Sequence, residues 1–253
     1  AQFEEANVEV KTYGTDNQVR IATNYGLKNT GENAQEEIET KLYEGVKAFL
    51  PENVDREEFL SDYRMSSQKV GPTIADDIKE SATIAIILSL VVMFLYILIR
   101  FKNWQYGMGA TVALIHDTVI VLGMFSIFSS IMPFSMEIDQ AFIAAILTVI
   151  GYSINDIVVV FDRIREVSTL YPNKDRYNVI NEALNATMPR TLNTSISTLL
   201  VLIVIFFFGG ASIQSFIFAM LLGIVVDPLT TIFLAVPCAY YMMGKKEAKK
   251  AQA

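Results

Sequence analysis

The sequence predicts a polytopic α-helical membrane protein: five transmembrane helices in this chain, with a small extracytoplasmic α+β domain ahead of them. Three observations predict it. Hydrophobic residues make up 52% of the chain and its mean hydropathy is +0.37, above an ordinary soluble domain. Charge is segregated: residues 1–80 carry 9 basic and 17 acidic side chains, whereas residues 81–253 are nearly balanced. Five apolar segments, 81–101, 107–131, 139–162, 190–209 and 213–243, are each long enough to cross about 30 Å of hydrocarbon at about 1.5 Å per residue.

Residues 1–72 are expected to form the outer domain. "ANVEVKTYG" and "NQVRIATNYG" alternate apolar and polar residues around Gly14-Thr15-Asp16-Asn17, a hairpin pattern. Asn33 precedes Ile38, Leu42, Val46 and Phe49 at helical spacing, and Pro51 stops that helix. "EFLSDYRMSS" reads as a third strand. About 70 residues in one layer pair is marginal for independent stability, so a strand further upstream or a partner is expected to complete the domain. After "SSQKVGP", Pro72 suits the first turn of a helix that runs into the first span. That helix is either a rod transmitting motion or a plain stiff connector.

The spans occupy residues 73–244. Asp227-Pro228 and Pro237 predict a kink in the last one. Lys and Arg set the orientation. Arg100 and Lys102 follow the first span; Arg163, Arg165, Lys174, Arg176 and Arg190 lie in or beside the 163–189 loop; four lysines fill the 245–253 tail. The connections "MPFSMEI" and "GGASIQ" hold no Lys or Arg. The basic connections fall on one side, which places the loop and C-terminus in the cytoplasm and residues 1–72 outside. The spans put the chain in direct contact with the lipid bilayer. The acidic outer part argues against nucleic acid.

An ionised side chain at mid-bilayer costs about 2.5–3.5 kcal/mol on insertion scales, so polar residues inside spans carry information. Asp156 lies in the third span beside Asn155, with Ser153 nearby; His116-Asp117 lies in the second and Asp227 in the fifth. Arg190 opens the fourth span and shares a helical stripe with Asn193, Thr194, Ser197 and Thr198. Such a stripe is expected to face the bundle interior or a wet cavity. Asp162, Arg163, Arg165 and Glu166 read as interfacial anchors. The Ser/Thr groups are either helix–helix glue or ligands, and His116 is either a buried hydrogen-bonded histidine or a site residue. Asp227 either offsets the helix broken at Pro228 or is a functional carboxylate. Asp156 has no basic residue within one turn, and Arg190 is the partner expected for it. A carboxylate that exchanges a proton for an arginine partner is the minimum part for proton conduction, so proton or ion coupling is favoured.

An enzyme is not expected. The chain holds no H-E-x-x-H, no cysteine cluster and no G-x-S-x-G, only one histidine (His116) and one cysteine (Cys238). No phosphate-cradling glycine loop is present, and no cofactor or metal is expected.

At the same residues the chain resembles a known family. "GYSINDIVVVFDRIRE" at 151–166, "MPRTLNTSISTLL" at 188–200, "SSQKVGPTIADDIKESA" and "ALIHDTVIVLG" are similar, in order, to motifs of the SecF protein-export membrane proteins. The resemblance implies a relative of the resistance-nodulation-division transporters, in the plasma (inner) membrane of a prokaryote, that works with SecD, separate or fused, beside the SecYEG channel. It would draw translocating preproteins outward at the expense of the proton gradient. It ties Asp156 and Arg190 to proton movement, with Asn155, Asn193, Thr194, Ser197, His116 and Asp117 as supporting polar groups. The family's preceding span and G-x-D-F-x-G-G stretch are not in this sequence, which implies the last five of six spans. The family's Gly-Thr-x-Ser-Ser stretch is replaced by "DPLTT" at 227–231, which brings close helix packing there into question. The alternatives are a small-molecule or lipid exporter of the same superfamily, for which an outer domain of about 80 residues is small, and a non-conducting structural subunit.

Overall fold

In the computed structural model, described residues are 3, 6, 8–12, 18–26, 34–51, 53–67, 72–129, 131–134, 136 and 138–251. They divide into two compact units, residues 1–81 and 82–253.

In the first unit, β1 (Val8–Thr12) pairs antiparallel with β2 (Val19–Thr23), in a register that sets Val10 opposite Ile21. The hairpin expectation holds for the strands; its turn at Gly14–Asn17 lies outside the described residues, as does Asn33. Helix α1 (Ala34–Val46) passes into a 3₁₀ turn, Lys47–Phe49. Leu50 is then extended, as the residue before Pro51 should be. The expected third strand is not formed. Residues 56–63 wind instead as a short turn, α2 (Arg56–Glu58), and a π-helical turn, Phe59–Tyr63. The reason is local: the Asp55 carboxylate accepts the Glu58 amide at 2.8 Å, an N-cap that commits the following residues to helix. Phe59 is thereby buried beside the Tyr43 ring, and the Tyr43 hydroxyl donates to the Val54 carbonyl at 2.9 Å. Ion pairs add little here: Arg64 meets Glu39 at 2.6 Å and Arg56 meets Glu36 at 3.5 Å, all partly or wholly exposed. Ala34, Val54 and Phe59 are the buried apolar residues described in this unit, while Val8, Val10 and Val19 stay exposed on the hairpin. A two-stranded sheet with so little core is marginal alone.

Helix α3 (Pro72–Phe101) is unbroken across the division between the units and starts at Pro72 as expected. The other spans are α4 (Trp104–Phe128), α5 (Gln140–Leu170), α6 (Arg176–Phe208) and α7 (Ala211–Thr230), which continues through a π-helical turn, Thr231–Ala235, into α8 (Val236–Ala251). Among the described residues five helical stretches, Asp77–Phe101, Trp104–Phe128, Gln140–Leu170, Arg176–Phe208 and Ile213–Gly244, are long and apolar enough to cross a membrane. The fold class is that of a polytopic helical membrane protein with a small sheet-bearing domain. Most of the expected 163–189 loop is helical, because α5 and α6 extend past their apolar segments and leave Tyr171–Asp175 as the turn.

α5 is the centre of the bundle, packed against α4, α6, α7 and the π turn after α7. Its buried residues fall at helical spacing: Phe142, Ala145, Ile146, Val149, Ile150, Ser153, Asp156, Ile157, Val160, Phe161, Ile164 and Val167. Aromatic clusters close both ends. Phe101, Tyr106 and Phe161 stack at one, with centroids 4.7–6.0 Å apart; Phe125, Phe128, Phe134, Phe142, Phe206 and Phe218 fill the other. At the first end Asp162 sits between Arg100 at 2.7 Å and Arg165 at 2.9 Å.

Close packing at the α5–α7 crossing is set by Gly223. A β-carbon there would lie 2.4 Å from Val149 Cγ2. Contact of this kind was in question at "DPLTT"; the structure supplies it one turn earlier, where glycine lets the two backbones approach. Gly109 does the same for α4, where a β-carbon would meet the Ala235 carbonyl at 2.6 Å.

Candidate functional site

Near mid-length, three helices each place a carboxylate on their buried stripe. α4 buries Ala110, Ala113, Leu114, Asp117, Thr118 and Val121 at helical spacing, so Asp117 points inward. α5 contributes Ser153 and Asp156. α7 brings Asp227 one turn after Gly223, followed by Thr230 and Thr231. Exposure is 1% for Asp117, 0% for Ser153, 3% for Asp156 and 1% for Asp227, so these groups meet neither lipid nor bulk water in this bundle.

The Ser153 hydroxyl donates to Asp117 Oδ2 at 3.0 Å. His116 Nδ1 lies 3.2 Å from Thr230 Oγ1 and 3.6 Å from Asp117 Oδ1, joining α4 to α7. Asp227 interacts electrostatically with Asp156, Asp117 and Ser153. Neither oxygen of Asp227 has a hydrogen-bond partner among the described residues, nor do Asp117 Oδ1, Asp156 Oδ2 or Thr231 Oγ1. Among the described residues no lysine or arginine is ion-paired to any of the three carboxylates; His116 lies beside Asp117, and Arg190 acts on Asp156 through space. Like charges on neighbouring buried side chains repel, and more strongly than they would in water. A cluster of three carboxyls without a paired lysine or arginine therefore favours bound protons over three full charges. Among the described residues no group of acidic, histidine or cysteine side chains is arranged to hold a metal ion.

The structure brings together Asp156, Asp117 and His116 and separates them from the other expected site residues. Asn155, Arg190, Asn193, Thr194 and Ser197 are exposed, and the polar stripe of α6 faces away from this bundle rather than into it. The reason is that α6 packs on α5 and α7 through another stripe, Thr187, Thr191, Ser195 and Leu202. The outward hydroxyls are satisfied by their own helix: Thr194 donates to the Thr191 carbonyl at 2.9 Å and Ser197 to the Asn193 carbonyl at 2.7 Å. His116 is not buried; its side chain is 44% exposed, although it is hydrogen-bonded as expected.

Asp227 is the residue whose part the sequence left undecided. It does precede a broken ladder, since Pro228 has no N–H and a π turn follows, but it also lies in the cluster. Its signal was its place on the stripe Ile217, Gly223, Ile224, Asp227, Thr230 and Thr231, the helical spacing of a core face.

A small helical bundle with carboxyls buried on three of its helices defines a class: polytopic membrane proteins with ionisable groups inside the bundle. Comparison with known proteins narrows the class. Residues 53–245 match the family described as protein export membrane protein SecD/SecF, C-terminal, and the chain belongs to that family. It is 40% identical over 243 residues to the protein translocase subunit SecF of Rhodothermus marinus, covering 96% of this chain and 74% of that protein. It is 37% identical over 213 residues to the protein translocase subunit SecDF of Brucella abortus, covering 84% of this chain and 26% of that longer protein. The crystal structure of SecDF from Thermus thermophilus, a translocon-associated membrane protein, matches with a TM-score of 0.71 at 27% identity, over 95% of this chain and 30% of that one.

Proposed function

We propose that the chain is an accessory subunit of the Sec protein translocase that couples the proton motive force to preprotein export on the outer side of the membrane. The observation that carries this reading is the buried carboxylate cluster centred on Asp156, with no lysine or arginine ion-paired to it among the described residues. The names of its relatives support the export role.

In this reading Asp156 takes up and releases the proton. The Arg190 charge acts on it through space and stabilises its ionised form. Ser153 orients Asp117 across the α4–α5 contact, and His116 ties α4 to Thr230, so a change in charge at Asp156 is felt by three helices at once. Helix α3, continuous from Pro72 to Phe101, carries the response to residues 1–72, which lie outside the membrane, with the C-terminus in the cytoplasm.

SecD, separate or fused, is the expected neighbour in the membrane, and SecYEG and the translocating preprotein are the further partners. The exposed Arg190, Asn193 and Asn155 support a second membrane half: bare polar and charged side chains are costly against lipid, and a neighbouring protein surface removes that cost.

The test is export into inverted membrane vesicles with and without a proton gradient. Asp156→Asn is expected to leave assembly intact and to remove the stimulation by the gradient. Undiminished stimulation in that variant would refute the role of Asp156.

A further inference from the structure

We propose that Asp227 is a second proton-binding residue of the coupling site, so that Asp156 and Asp227 hold one proton between them and load and unload as a pair. This rests on the proton-coupling reading above and deepens it.

Four observations carry it. First, Asp156 and Asp227 lie on the mutually buried faces of α5 and α7, which are held together where Gly223 meets Val149, one turn before Asp227 and two turns before Asp156. Second, Asp227 is 1% exposed and both its carboxylate oxygens lack a hydrogen-bond partner among the described residues; the Thr231 hydroxyl, one turn further on and equally buried, also lacks one. A buried carboxylate left without donors is costly unless it carries a proton itself or shares one. Third, the groups that face it offer no paired cation. From α4 come Asp117, already bonded to Ser153, with His116 beside it; from α5 come Asp156 and Ser153. From α6, Arg190 reaches Asp156 through space. Fourth, Pro228 and the π turn after it interrupt the regular hydrogen-bond ladder beside the carboxylate, a local irregularity that frequently marks functional positions.

The proton balance is simple. In the resting pair one carboxyl donates its O–H to the other's carboxylate, and the pair bears one negative charge. Uptake of one proton by the free carboxylate breaks that shared bond and leaves two neutral acids. Release of one proton restores the shared bond and the single negative charge. The pair then cycles between charges of minus one and zero, and neither carboxylate is left ionised without a donor.

The experiment uses the full-length protein with its partner chain, reconstituted in proteoliposomes, with proton flux read across a pH series. Asp156→Asn is expected to abolish flux. Asp227→Asn is expected to move the pH midpoint of flux to higher pH by about one unit, because the Asp156 carboxylate loses the O–H that its neutral partner donates and gains only a weaker amide donor. Asp227→Glu is expected to restore the midpoint. A wild-type midpoint in Asp227→Asn, with Asp156→Asn silent, overturns this inference and leaves the proton-coupling reading standing. A wild type as silent as Asp156→Asn overturns both. Where Asp227→Asn does not assemble, infrared difference spectra of wild type and Asp156→Asn decide. A protonated-carboxyl band that shifts on removing Asp156 supports the shared proton, and an unmoved band overturns it.

Discussion

Replacing Gly223 by alanine tests whether the α5–α7 contact sets the site. The new β-carbon would sit 2.4 Å from Val149 Cγ2, 2.5 Å from Val149 Cγ1 and 3.0 Å from Val149 Cβ. Ordinary contact begins at 3.4 Å, so the closest approach is about 1 Å short. Val149 is buried on α5 and branched at Cβ, so it has no flexible end to swing away. The helices must therefore separate, and overpacking of this kind costs about 1–3 kcal/mol. Asp227 and Ser153 each lie one turn further along the same two helices, so the separation also reaches the carboxylate pair. Thermal unfolding of the purified protein reads the first effect. Val149→Ala in the same chain removes the obstructing methyls, so the double variant is expected to be less destabilised than the two single changes combined. A Gly223→Ala variant within about 0.5 kcal/mol of wild type, or strict additivity in the cycle, would refute the packing argument.

Further predictions follow from local contacts. Asp139 caps α5 by accepting the Phe142 amide at 2.8 Å, so Asp139→Ala is expected to cost about 1 kcal/mol, read by denaturation of the purified protein. In the first unit the Gln35 amide and then the Arg64 guanidinium hold Glu39 below the usual carboxylate range. The Tyr25 hydroxyl and then Lys41 do the same for Glu37. With folded values below the unfolded 4.5, their stabilisation is present above that pH and lost as the pH falls through the folded values. Hydrogen exchange in α1 of the full chain is therefore expected to accelerate in acid, and less steeply in Glu39→Gln. Equal acid sensitivity in that variant would show that Glu39 does not contribute.

The spans were legible because hydropathy reports directly which segments suit hydrocarbon. The ends of the helices were not, because charged residues such as Arg163–Glu166 continue the α5 helix beyond its apolar stretch. The third strand failed for a related reason. A cap at Asp55 acts through one side-chain contact, and the composition of "EFLSDYRMSS" gives no sign of it. At the site, Asp156 stood out as a carboxylate amid apolar neighbours. Its closeness to Asp227 did not, because the α5–α7 crossing that brings up Asp227 depends on Gly223 and Val149 and not on any local motif. The stripe on α6 teaches a separate point. Periodicity shows which residues share a face, as Arg190, Asn193, Thr194 and Ser197 do. It does not show whether that face meets its own bundle, and here Thr187, Thr191 and Ser195 take the inner side. Arg190 remains within electrostatic reach of Asp156 even so.

The central claim is that a proton carried at Asp156 drives the protein. The most direct measurement is lumenal pH in proteoliposomes holding the full-length protein with its partner chain, followed after an external acid step. The account predicts faster acidification with wild type than with Asp156→Asn, the latter matching protein-free vesicles. Equal rates for wild type and Asp156→Asn would contradict it.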